Sequence, residues 1–321
     1  MRDASPQTIY LKDYTPFGYI IDAVDLTFRL DPTATRVISR LSLRPNPEAS
    51  DPCFFLHGED LKLISAKIDG QDIAPRLIEG GLEADVPNAP FVWETEVEIN
   101  PQANTALEGL YMSNGMYCTQ CEAQGFRKIT YYPDRPDVMS VFTVRIEGNT
   151  DTTPQLLSNG NKVETGALSN SDAQFAVWHD PWPKPAYLFA LVAGDLVAHQ
   201  DSIVTMSGKT VQLAIWVRPG DENKCSFGMD ALKKSMRWDE DVYGREYDLD
   251  EFNIVAVDDF NMGAMENKGL NIFNSSCVLA SAETSTDANF ERIEAIIAHE
   301  YFHIWTGNRI TCRDWFQLCL K

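Results

Sequence analysis

Apolar and polar residues alternate with a period of two through much of the first half of the chain, where Val24, Leu26, Phe28 and Leu30 are separated by Asp25, Thr27 and Arg29. Successive side chains of a strand point to opposite faces, so this stretch predicts a half-buried β-strand. Val37-Ser39-Leu41-Leu43, Phe91-Trp93-Thr95-Val97-Ile99 and Phe142-Val144-Ile146 repeat the pattern. Clusters of Pro, Asn, Asp and Gly, which break strands and make turns, lie between them. The expectation is an all-β first domain, sandwich- or saddle-like.

Three prolines in Pro181-Trp182-Pro183-Lys184-Pro185 interrupt the alternation, because proline gives the ladder no donor. A boundary is expected shortly after, dividing the chain into residues 1–194 and 195–321. Beyond it the pattern is mixed. Asn223 to Tyr243 reads as a helix and Phe252 to Val257 as a strand. Ala288 to Thr306 reads as a long helix, with Phe290, Ile293, Ile296 and Ile297 on one face. Thr286 or Asp287 supplies its N-cap and Gly307-Asn308 its stop. The second region is therefore expected to be α+β.

Composition narrows the partners. With 44% hydrophobic and 23% charged residues the 321-residue chain is an ordinary folded protein, long enough for two cores. A formal charge of -20 argues against nucleic acid, whose phosphates need clustered Lys and Arg. The longest apolar run, Tyr187 to Ala193, is far short of the ~20 residues of a membrane span, and the first residues hold no apolar leader. A cytoplasmic protein with no membrane partner is expected. The seven scattered cysteines form no disulfide framework and are read as reduced.

Three short segments carry candidate chemistry. His299-Glu300-Tyr301-Phe302-His303 is H-E-x-x-H, which on a helix stacks two imidazoles one turn apart within reach of one metal ion. The glutamate between them stands close enough to take a proton from water without being a ligand. Gly263-Ala264-Met265-Glu266-Asn267 follows an apolar strand and by itself reads as a β-turn with a solvated glutamate. Cys118-Thr119-Gln120-Cys121-Glu122 has C-x-x-C spacing, yet it lacks the second pair of a zinc ribbon and the βαβ setting of a redox pair, so its cysteines read as buried small hydrophobes.

Together and in this order, the three segments resemble the zinc aminopeptidases of the aminopeptidase N family. The match runs through His299 to Arg309, and Thr311 to Leu318 and Cys118 to Arg135 are most similar to the bacterial alanyl aminopeptidase branch. The resemblance implies a saddle-like all-β domain followed by an incomplete α+β, thermolysin-like catalytic domain. His299 and His303 would bind zinc, and Glu300 would be the general base for water attacking the first peptide carbonyl. Glu122, with Gln120 beside it, and Glu266 would hold the free α-ammonium of a peptide substrate. Gly263 and Ala264 would run beside the peptide backbone, Met262 would line the pocket for the first side chain, and Met265 and Asn267 complete the substrate-binding segment.

In this family the third zinc ligand is a glutamate nineteen residues after the second histidine, which here is position 322. The tyrosine that stabilises the oxyanion lies further on. The resemblance thus implies a parent enzyme of broad specificity, and a 321-residue chain that holds metal weakly and is inactive. Some relatives also hydrolyse an epoxide, and the alanyl-branch match argues against that here. The competing reading is a non-catalytic peptide-binding or scaffold module.

Overall fold

A computed structural model describes residues 8–49, 53–169 and 171–321. The four alternating segments lie together in one eight-stranded sheet, in the order Asn161–Ala167, Ala173–Pro185, Met139–Asn149, Tyr19–Arg29, Thr35–Pro45, Phe91–Ile99, Lys62–Ile68 and Gln71–Asp72. Phe91–Ile99 alternates buried and half-buried residues without a break, as a strand with one face on the core requires. Trp93, Phe142, Trp178 and Phe28 fill that core.

The prolines act differently from expectation. They fall within the single strand Ala173–Pro185, where Lys184 pairs with Ser140 and Asp180 with Phe142. Residues 181–183 bulge opposite one residue of the neighbouring strand, so Pro181 and Pro183 sit where the ladder asks for no donor.

A four-stranded sheet follows, in the order Gln155–Ser158, Leu191–Gly194, Met116–Gln120 and Gly109–Ser113. The apolar run Tyr187 to Ala193 is wholly buried and its end forms one of these strands, while Gln120 closes an inner strand with Glu122 just beyond it. A five-stranded sheet begins at Val197, in the order Val197–Val204, Thr210–Val217, Glu251–Val257, Leu270–Asn274 and Ala264–Met265. Its middle strands are parallel, and Phe252 to Val257 is buried throughout, the mark of a strand covered on both faces. Ile215, Ile254 and Phe273 meet helices on one face. Val255, Val257, Leu270 and Ile272 join the core of the first region on the other.

The helices are α1, Ser226–Tyr243, and α2, Asp287–Phe302. α1 ends on Gly244 in the left-handed conformation (φ 63°), which costs glycine nothing. Thr286 caps α2, and its side chain and that of Asn289 each accept the other's backbone N–H. α2 stops at Phe302, four residues short of the expected Thr306. The backbone N–H groups of Ile304 and Trp305 donate to Tyr301 and Phe302, a tightening that ends the helix before Gly307. Among the described residues no helix is long and apolar enough to cross a membrane.

Candidate active site

The early end of α2 puts His299 in its last turn and His303 at its C-cap. Their Nε2 atoms face each other at 3.1 Å. His303 Nδ1 lies 2.6 Å from the Thr306 carbonyl oxygen, which can only accept, so Nδ1 carries the proton and Nε2 of the neutral ring keeps its lone pair. Ligand atoms of His303, Glu300 and Glu266 all lie within 4.8 Å of one another. His299 is not in that group and joins it only through His303, but imidazole nitrogens with carboxylates beside them are donors of the kind a zinc ion takes.

The electrostatics follow from burial. Glu300 is 6% exposed. Burial, together with the charge of Glu266, pushes its carboxyl up to about 8, while Lys321 pulls the other way. His299 is pushed below the ordinary histidine value by burial and by His303. Both groups are held toward their neutral forms, and a nearby cation favours the ionised carboxylate while keeping the imidazole neutral.

Glu266 is not the solvated turn residue that its local sequence suggests, for it is 3% exposed. The loop that carries it is pinned at several points. Asn308 Nδ2 donates to the Glu266 carbonyl at 3.1 Å, and Asn274 N–H donates to the Gly263 carbonyl at 2.9 Å. Ala264 and Met265 pair with Phe273 and Ile272 as the outer strand of the five-stranded sheet. Gly307, with φ at 138°, closes the turn after α2. A Cβ there would lie 3.1 Å from His303 Nδ1 and 3.4 Å from Glu266 Oε1 in a conformation that L-residues avoid.

Glu122 and Glu266 follow strands of different sheets, and the structure brings them to one cation. Lys321 Nζ lies 2.7 Å from Glu122 Oε1, also touches Glu266 Oε1, and sits 4.8 Å from the centre of the Tyr187 ring. Burial lowers the Lys321 pKa, but the two carboxylates outweigh it and the net shift is upward. Nothing local in the sequence marks Lys321 or Tyr187 as part of the site. Their partners are more than fifty residues away.

The remaining expected residues divide. Gln120 Nε2 lies against the Met262 sulfur, and the Gln120 side-chain oxygen Oε1 is buried without a partner. Met262 is 41% exposed beside it. Asn267 turns away: its Nδ2 donates to the carbonyls of Leu188 and Phe189, so it fastens the loop to the first region. Met265 is fully buried. Cys118 and Cys121 are buried free thiols, the former pushed up to about 12 chiefly by burial, as befits packing residues.

Comparison with known proteins places the chain in a family. The Peptidase M1 N-terminal domain matches residues 26–188, and the Peptidase family M1 domain matches residues 227–321. Aminopeptidase N of Caulobacter vibrioides is 57% identical across 100% of this chain and 37% of its own length. Aminopeptidase N of Escherichia coli is 52% identical across 98% of the chain and 36% of its own length. The crystal structure of Legionella pneumophila aminopeptidase A in complex with aspartic acid superposes with a TM-score of 0.92 at 35% identity, over 97% of this chain and 37% of that one. The chain thus spans little more than a third of the length of these relatives, and it belongs to peptidase family M1.

Proposed function

We propose that the complete protein is a zinc aminopeptidase that removes amino-terminal residues from peptides with broad preference, and that it works in the cytoplasm. One observation carries the reading. Two carboxylates, Glu266 buried and Glu122 half-buried, from loops that follow strands of separate sheets, converge on a single ammonium group beside a pair of facing imidazoles. An endopeptidase has no need of such an anchor. A peptide's free amino terminus offers the same ammonium that Lys321 offers here, with the Gln120 side-chain Oε1 as a further acceptor.

His299 and His303 would hold zinc, which when bound supplies a Lewis acid for the scissile carbonyl. Glu300 takes the proton of the attacking water and passes it to the leaving amine. A cation brought close lowers its pKa, as Lys321 already does in part, and turns it into a base. The outer strand Ala264–Met265 presents one unpaired edge, on which the substrate backbone can lie as an added strand. Met262 borders the first side chain. The division into domains at residues 194 and 195 belongs to the same proposal.

The family's third ligand falls at position 322, so a polypeptide of these 321 residues is expected to hold zinc weakly and to turn over little. The test measures zinc content and hydrolysis of an alanine anilide, for this chain and for the protein extended to its natural carboxyl end. Stoichiometric zinc and release of the amine by the extended protein alone support the proposal. An extended protein that neither binds zinc nor cleaves overturns the enzyme reading in favour of a peptide-binding module.

A further inference from the structure

We infer that Asp248 is a positioning residue, which fixes the amine-anchoring loop and the metal-binding end of α2 relative to each other. It belongs to none of the three motif segments and lies in the connection between α1 and the strand Glu251–Val257. The inference rests on the aminopeptidase reading of the site.

The two oxygens of Asp248 serve two different segments. Oδ1 accepts from Lys268 Nζ at 2.6 Å, and Oδ2 accepts from Arg309 Nη1 at 2.5 Å. Lys268 stands two residues after Glu266, and Arg309 six residues after His303. One carboxylate therefore ties the loop that holds the amine anchor to the turn that follows the second histidine. The side chains of Lys268 and Asp248 are only 2% and 11% exposed, so the ammonium depends on this counterion.

Both partners are themselves held from outside the site. Asn159 Nδ2 donates to the Lys268 carbonyl at 2.9 Å. The Arg309 guanidinium lies 3.8 Å from the centre of the Trp182 ring, in the proline bulge of the first region. The loop and the turn also meet directly through Asn308 and the Glu266 carbonyl. A single tie sets a separation and leaves rotation free. Asp248 supplies the second tie, which restricts that rotation. The reaction needs that restriction, because a shift of about 1 Å between anchored substrate and reacting groups costs about 100-fold in rate.

A structural ion pair and a positioning one differ in which kinetic constant they move. In the full-length protein, Asp248→Asn keeps the shape and removes the charge. It is expected to lower kcat for an alanine anilide about 10- to 100-fold, to change KM less than about threefold, and to leave zinc stoichiometric. Asp248→Glu restores the charge one methylene out of place and is expected to recover part of kcat. If Asp248→Asn folds poorly, kcat per zinc-loaded molecule of Asp248→Glu makes the same comparison, with a reduced value expected. Wild-type kcat per zinc-loaded molecule in both variants overturns the inference and leaves the enzyme reading intact. A wild-type protein without zinc or cleavage overturns the reading, and the inference with it.

Discussion

Glu266 lies within reach of two kinds of partner: the imidazole of His303 and carboxylate of Glu300, and an ammonium group. Its Oε1 contacts Lys321, which favours the anchoring role over ligation. Removing one member of a buried, hydrogen-bonded charge pair typically costs about 2–5 kcal/mol. Glu266→Gln is therefore expected to cut kcat/KM for an alanine anilide by roughly 100-fold, with zinc content unchanged. Hydrolysis that matches wild type would show that the anchor lies elsewhere. Loss of zinc in the variant would make Glu266 a ligand instead. The sequence hid this residue's setting. Five letters of a turn carry no sign that Asn308 and Lys321, 42 and 55 residues away, enclose them.

Secondary structure was more legible than the site because its signals are local. Alternation marked four strands of the eight-stranded sheet, since a half-buried face imposes a period of two on each strand separately. The start of α2 was equally readable, as Thr286 and Asn289 form a cap within four residues. Its end was not. Ile304 and Trp305 prolong the apolar pattern, but the backbone has tightened by then and His303 has turned its Nδ1 to the Thr306 carbonyl. The cap allows a separation of stability from site chemistry. Thr286 stands 13 residues before His299, or about 20 Å along a helix. Thr286→Ala is expected to cost about 1 kcal/mol and lower Tm by a few degrees while zinc affinity stays constant. A matching fall in zinc affinity would mean that α2 transmits fraying along its whole length.

Across the molecule, strands with faces in two cores tie the regions together, and acid should loosen the whole assembly at identifiable points. His57 is one of them. Its backbone pairs with Tyr132, and its Nδ1 accepts the Asp134 N–H at 3.2 Å, which keeps the ring neutral. Burial pushes its pKa down to about 4, with the charges of Arg127 and Arg135 adding to the effect. An unfolded chain protonates the same ring near the ordinary 6.5. Below that value the unfolded state takes up a proton that the folded state refuses, so this contribution is complete above pH 6.5 and is lost as pH falls toward 4. The slope from one such group is at most ~1.4 kcal/mol per pH unit. The net charge of -20 brings many carboxylates that titrate nearby, so the measurement has to be a difference. Urea unfolding of wild type and His57→Gln at pH 7 and pH 5 supplies it, because glutamine can still accept the Asp134 N–H but cannot titrate. Wild type is expected to lose more stability than the variant between the two pH values. Parallel losses would place the acid sensitivity in the carboxylates and clear His57 of any part in it.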